Sequence, residues 1–412
     1  MHKYKNKIIT ILQYLIVITI ILECNSIYSQ VYGYHLIIRA IIIIISIFCM
    51  TGIMLLKKKI NINKEILLFI SYDYICSIIM LINTTSLSGI FVIILIFMIY
   101  FPSMLIFLNS LSKDERNDLF KKFVNVVIIL CLISLIFWIL SSVLKILKPT
   151  NTIKVVWAKP YSEISSYLGL HFDTQEVWWI TGSPLTRNTG VFVEGPMYAV
   201  IIIFALIFNN LILPVEKKAT WQKNGILLIT MISTMSVAGV FCAIIILMKH
   251  LKEIVMNIKN KKIFISILVV LFIIVIPFGI DLIIKKINTS STSHRNLDIQ
   301  IGIRTFLEDP VIGKGINHER KTELDYENGY GYSNTIIPVL TDGGIILFNM
   351  YLIPAVSLGY EGIKKRKVNY LILLIIYVII LFTELIQYRM IMLTIIALMY
   401  ILSINEELLE EK

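Results

Sequence analysis

Apolar stretches about as long as a bilayer is thick recur along this chain, and they leave it few folds to choose from. Residues 36–56, 89–108 and 123–144 each run past the roughly 18 residues that suggest a spanning helix. Within hydrocarbon no water is present to satisfy backbone N–H and C=O groups, so such segments close their hydrogen bonds internally as helices. With 57% hydrophobic and 16% charged residues there is little left over to build a soluble domain. The expectation is an all-α integral membrane protein, one polytopic domain over 1–412 with about 12 transmembrane helices.

The basic start, MHKYKNK, could be taken for a signal peptide, but no small-residue cleavage site follows Leu22 and a second span opens at Leu36, so the first run reads as a retained helix. Further spans are expected near 65–82, 196–213, 225–236, 237–250, 263–283, 336–357, 368–383 and 389–403. Residues 225–250 are long for one crossing and short for two. Parity favours two, because one crossing would move the Lys-rich segment 249–262 away from the other basic turns. On that arrangement 24 Lys and Arg fall on one side and 13 on the other, and the short turns 23–35 and 83–88 carry none. The basic side is then cytoplasmic, with both termini. Two large extracytoplasmic loops remain, 145–195 and 284–335.

Several chemistries lack their residues. No GxxxxGK[ST] or strand-borne GxGxxG supports a nucleotide motor or dinucleotide enzyme, and HExxH is missing. Cys24, Cys49, Cys76, Cys131 and Cys242 have no metal-ligand or paired spacing and read as core thiols. No metal or other cofactor is expected. The net charge of +11 speaks of topology and anionic lipid in the bilayer, and no aromatic-interleaved basic domain exists to hold nucleic acid.

Ionisable groups at the mouth of a span mark a site, because hydrocarbon tolerates them only where they face a cavity, a partner or a substrate. The first loop ends in TGSPLTRNTGVFVEGP, which puts Arg187 and Glu194 just before a span. Its aromatics, Trp157, Tyr161, Tyr167, Phe172, Trp178 and Trp179, suit either a sugar platform or an interfacial belt, with the belt favoured for Trp178 and Trp179. His171 reads as a solvated loop residue. In the second loop Ser293 is placed as an N-cap, and Ile299, Ile303 and Phe306 recur at helical spacing until Pro310, giving a short amphipathic helix. Arg295 and Arg304 are nine residues apart, about 900° of rotation at roughly 100° per residue, so they face opposite ways. Arg304 then pairs with Glu308, leaving Arg295 for ligand. The turn PVIGKG follows, with Gly313 and Gly315 free to take positive φ.

These stretches resemble a family. RNTGVFVEGP (187–196) entering a span, HRNLDIQIGIRTFLEDPVIGKG (294–315) and SNTIIPVLTDGGIILF (333–348) are similar to the O-antigen ligase and O-antigen or capsular polysaccharide polymerase superfamily. The motifs cover about 60 residues, and the topology matches along nearly the whole chain. Where the ligase branch has a His just before the position of Asn334, this chain has Ser333, which favours the polymerase branch.

The resemblance implies a metal-independent glycosyltransferase in a bacterial plasma membrane. Its donor would be a polyprenyl-pyrophosphate-linked oligosaccharide moved onto the next lipid-linked repeat unit, with flippase and chain-length regulator proteins as partners. Arg187 and Arg295 would meet the pyrophosphate, since guanidinium binds phosphate oxygens in a fork and stays charged. Arg304, His294, His318, Asn334 and Asp342 would contribute to substrate binding. Glu194, His294, His318 and Asp342 are candidates for the general base, Glu194 first among them, against the reading that it salt-bridges Arg187. The alternatives are a ligase and a flippase or other transporter, and a transporter would carry polar groups mid-span, where this chain has little beyond Asp73 in the third span and Glu384 and Arg389 near the turn of the last pair.

Overall fold

The computed structural model describes residues 2–157, 161–178, 184–214, 217–257, 290–316 and 332–405. Helix dominates. The chain forms α1 (His2–Glu23), α2 (His35–Lys57), α3 (Lys64–Asn83), α4 (Leu87–Ser110), α5 (Lys113–Val143), α6 (Gly195–Ile212), α7 (Lys217–Ser233) and α8 (Val237–Asn257). It continues through α9 (Ser290–Glu308), α10 (Ile336–Lys364), α11 (Val368–Thr383) and α12 (Met390–Ile404).

Among the described residues seven helices, α1 to α6 and α10, are long and apolar enough to cross a membrane. Shorter apolar helical stretches occupy Val237–Lys249, Val368–Thr383 and Met390–Ile404. Seven such helices do not confirm the expected count of about 12 spans, and the expected span 263–283 lies outside the described residues. The ambiguous stretch 225–250 is divided as parity required, α7 ending at Ser233 and α8 starting at Val237, with Met235 at φ 53° in the turn.

Local chemistry explains the helix boundaries. Ser112 accepts from the Glu115 N–H while Glu115 accepts from the Ser112 N–H, a capping box that starts α5. Asn63 caps α3 through the Ile66 N–H. α2 stops where Lys58 turns left-handed.

Burial sorts the helices into two kinds. α6 is apolar all round because it is central, with 94% of its window buried, whereas α5 has only 28% buried. α6 packs on α5, α7 and α8, and α12 packs on α1, α4 and α10. The outer helices point Phe48, Leu55, Ile82, Ile136 and Phe382 outward. An apolar belt of that extent suits lipid. All five cysteines are free and buried, as expected of core thiols.

The all-α expectation is corrected in the first loop, which forms a β cap. Strands β1 (Asn151–Val155), β2 (Ser162–Tyr167) and β3 (His171–Asp173) make an antiparallel sheet in that order, and β4 (Glu176–Trp178) pairs with β5 (Pro184–Thr186). Hairpin chemistry accounts for it: Leu168 and Gly169 both take positive φ between β2 and β3. The cap is stitched to the outer turn of α1 and α2, where Ile27 N–H donates to Val191 O at 2.8 Å and Tyr32 N–H to Lys154 O at 2.9 Å. The turns after α1, α3, α7 and α11 gather at this capped end, and those after α2, α4 and α10 at the other.

Candidate functional site

A polar cavity of about 380 Å³ opens at the capped end. Its lining comes from four parts of the chain: Asn25 and Gln30 after α1, Trp157 and Glu194 from the first loop, Tyr332 and Ser333 before α10, and Glu384 with Arg389 from the turn between α11 and α12. Glu194 stands at the N-cap position of α6 with extended backbone, φ −155° and ψ 155°. Thr335 fixes the opposite wall by donating to Glu384 O at 2.6 Å.

Behind this lining is a charge cluster that no local motif announces. Glu23, fully buried at the end of α1, accepts from Arg39 Nη2 at 2.7 Å and from Arg389 Nη1 at 3.3 Å, and its second oxygen takes the Met390 N–H at 2.8 Å. Glu23 thus meets two guanidiniums, and Arg389 is the one that reaches the cavity. A buried pair of this kind needs its remaining hydrogen bonds met. Here they are: Arg39 also reaches Tyr388 O at 3.4 Å, and Arg389 reaches Glu23 O at 3.4 Å. The cavity thus sets the guanidinium of Arg389 in one lining with the carboxylates of Glu194 and Glu384.

Arg187 is placed differently. Its Nη1 donates to Gln175 Oε1 at 3.3 Å, and its Nε is buried without a hydrogen-bond partner among the described residues. Burial draws its pKa below the usual arginine range, against the pull of the nearby Glu194 charge. It does not line the cavity but lies against Gly195, where a Cβ would sit 3.4 Å from Arg187 Cδ and 2.6 Å from Thr234 O. Glycine at that position lets the mouth of α6 touch the α7–α8 turn.

The second loop departs from expectation in three ways. α9 begins at Ser290, so Ser293 lies inside the helix instead of capping it. Ile299 and Ile303 are exposed, while Asp298 and Gly302 are buried, Gly302 against Ile337, so the apolar stripe is not the docking face. Glu308 pairs with Lys314 in place of Arg304, which is exposed. Position 295 is seven residues before Gly302 and shares its face by helical register. The side chains of His294 and Arg295, and all of His318, lie outside the described residues.

PVIGKG works as a structural wedge. Gly313 and Gly315 have φ 68° and 86°, and the turn fills a break in α10 at Gly344, φ 62°. There Gly315 N–H donates to Asp342 O at 2.9 Å, Ile345 N–H to Pro310 O at 2.9 Å, and Asn83 Nδ2 to Gly313 O at 3.0 Å. A Cβ at Gly344 would approach Val311 O to 2.3 Å. Asn334 accepts from Ile337 N–H at 3.0 Å and so starts α10. Asp342 is buried below the cavity wall, accepting from Tyr388 Oη at 2.7 Å and from Thr341 Oγ1 at 3.2 Å.

The aromatics divide as well. Trp157 lines the cavity, whereas Phe172 and Tyr167 are buried in the cap, Tyr167 donating to Asp173 Oδ2 at 2.6 Å. Tyr161 packs on Tyr32 with ring centroids 5.0 Å apart. The Trp178 side chain and Trp179 lie outside the described residues. His171, expected to be solvated, is fully buried: it stacks on Phe137 and stands 3.4 Å from Asp173 Oδ1.

No protein-family model, no curated protein and no solved structure matches the chain. The candidate site therefore rests on its own geometry. Arg389, Glu384, Arg39 and Glu23 are what the sequence reading did not bring together. The available signal was three ionisable residues, Arg39, Glu384 and Arg389, in or beside otherwise apolar spans.

Proposed function

We propose that this chain is a membrane glycosyltransferase that polymerises a lipid-linked oligosaccharide repeat unit, the capped end facing outward from a bacterial plasma membrane and both termini cytoplasmic. The observation that carries the reading is the cavity in which a guanidinium, Arg389, shares the lining with two carboxylates, Glu194 and Glu384, and an aromatic ring, Trp157. A polyprenyl-pyrophosphate donor keeps its lipid in the bilayer and its pyrophosphate at headgroup depth, where Arg389 would meet it. The acceptor hydroxyl oxygen forms a bond to the anomeric carbon as the bond from that carbon to the pyrophosphate oxygen breaks. The hydroxyl proton passes to a carboxylate, and polyprenyl pyrophosphate leaves with the electron pair. Fixed guanidinium donors favour the transition state because negative charge grows on the leaving group.

For the base, Glu194 keeps its place and Glu384 joins it, since both line the cavity. Asp342, hydrogen-bonded to Tyr388 and Thr341, is a positioning residue under this reading. The test is polymer formed in liposomes from purified lipid-linked repeat. A ladder of products with one polyprenyl pyrophosphate released per linkage supports the reading, and transfer only to a different acceptor points to a ligase. Glu194→Gln and Glu384→Gln should each be compared with Asp342→Asn for turnover beside donor binding. Full activity in both Gln variants would remove the carboxylates from the chemistry. Orientation is tested in a chain freed of its own cysteines. A thiol at Ser165 should react with an impermeant reagent in intact spheroplasts and one at Ala219 only after lysis.

A flippase reading has one observation of its own, the buried Asp73 within α3. Repeat units trapped inside a deletion strain, in place of single-repeat glycan at the surface, would favour it.

A further inference from the structure

Asp73 takes no part in the proposed reaction, and its surroundings set it apart. It stands near the middle of α3, between Lys64 and Asn83, and is fully buried. Among the described residues neither of its carboxyl oxygens has a hydrogen-bond partner, and Ser77, one turn on, is buried with an unpartnered hydroxyl of its own. The rest of this buried face is Ile66, Phe69, Ile70, Cys76 and Met80. A bare carboxylate in such a place, with neither a counter-ion nor a donor, is the least favourable arrangement an interior can hold. A bound proton removes the charge at once.

The neighbouring groups bear this out. α3 packs against α10 and the π-helical stretch Ile93–Tyr100 of α4. Among the described residues, the titratable groups that feel the charge of Asp73 are Cys76 on its own helix and Tyr351 on α10. Neither is a cation. From α4, Tyr100 is committed to Thr394 at 2.8 Å. A hard metal cation would want six or more oxygen ligands. Two carboxyl oxygens and the Ser77 hydroxyl among apolar side chains do not approach that set.

The position also has a readout. Tyr72 and Cys76, flanking Asp73 in the sequence, both donate to Ile346 O, at 2.6 Å and 3.6 Å. Ile346 is two residues past the break in α10 at Gly344, and Tyr332 and Ser333, just before α10, line the cavity. We infer that Asp73 is an intramembrane proton-binding site, a carboxyl that takes up and releases one proton inside the bundle and passes its state to the break in α10 through Tyr72 and Cys76. One O–H bond forms or breaks, with water as the other partner. The site is independent of the polymerase reading and stands or falls without it.

Infrared difference spectroscopy of the full chain in liposomes tests it. Wild type should show the C=O stretch of a protonated carboxylic acid that is lost in Asp73→Asn and moved, not lost, in Asp73→Glu. The Glu variant keeps the assignment decidable if the Asn variant fails to fold. The band should shift in D2O, which shows that the proton exchanges. On the alkaline limb it should fall about tenfold per pH unit, the slope of a single proton. Absence of the band at every pH, or a band that ignores D2O, would overturn the proposal. Loss of the band on adding sodium at constant pH would overturn it too, by making the site a metal-cation site.

Discussion

Arg187 and Arg389 both stand at the capped end, yet they are held in opposite ways. Arg187 comes from the stretch that looks most like a site in the sequence, and it is packed against Gly195 with a neutral partner, Gln175. Arg389 comes from the turn of the last helix pair, which the sequence marked only as a polar interruption, and it is fixed by a carboxylate from the far end of the chain, Glu23, while lining the cavity. The difference teaches that a guanidinium becomes a usable ligand group when something else holds its charge and aim. Arg187 is bonded within the cap to Gln175 and packed on Gly195 at the mouth of α6. Arg389 is oriented by Glu23 and lines the cavity.

The sharpest way to break this comparison is to remove the holder. Glu23→Ala leaves Arg39 and Arg389 buried side by side without their carboxylate. Loss of one partner from a buried pair costs about 3–5 kcal/mol. The expected outcome is a large drop in the midpoint of unfolding in detergent, with a smaller one for Gln175→Ala beside Arg187. Equal losses for the two would mean that Arg187 and Arg389 are held alike.

Next in size is the chemical test. Arg389→Ala should lower polymer formation by about 10²–10³-fold, the range for removing one donor from a developing anion. Arg389→Lys should restore little, because a point charge does not reproduce the fork. Arg187→Ala should act mainly on stability and leave the turnover of the folded fraction within a few fold. The reverse ranking, measured per folded molecule in liposomes, would return the site to Arg187.

The two arginines also show how far the sequence could be read. Helices α1 to α6 were legible because their apolar runs are uninterrupted, and lipid permits little else. The turn at Gly313 and Gly315 was legible as a backbone device, although its target, the break at Gly344, was not. The Glu23–Arg39–Arg389 cluster was hidden because its members belong to segments at opposite ends of the chain, and no periodicity links such segments. In the cap, short strands such as His171–Asp173 carry too few residues to show alternation, so a β structure passed for loop. His171 was misplaced for the same reason: without the sheet, nothing buries it. In α9 the apolar stripe pointed the wrong way because the close approach at Gly302, not side-chain hydrophobicity, selects the docked face.

A gentler change separates the two sides of the capped end. Gly195→Ala would put a methyl group 2.6 Å from Thr234 O and 3.4 Å from Arg187 Cδ, so the α6 mouth must shift. Overpacking of this kind costs about 1–3 kcal/mol. The strain falls on the Arg187 side, so the loss should appear in unfolding while the Glu23 cluster stays intact. A stability equal to wild type would show that the contact between α6 and the α7–α8 turn is looser than described.

The smallest effect should come from Arg304. It is exposed on α9, on the side away from the buried Asp298 and Gly302, and Glu308, its expected partner, is taken by Lys314. Substitution at such a surface position is usually within about 0.5 kcal/mol. Arg304→Ala should therefore leave both the unfolding midpoint and the polymer ladder close to wild type, and Glu308→Ala should do the same, since an exposed ion pair contributes little. The pair of variants sharpens the comparison because Arg304 is a further guanidinium, exposed and, among the described residues, without a carboxylate partner. If it mattered as much as Arg389, the ladder would shorten in Arg304→Ala at unchanged stability. Free arginines would then serve as well as fixed ones, and holding by Glu23 would lose its meaning.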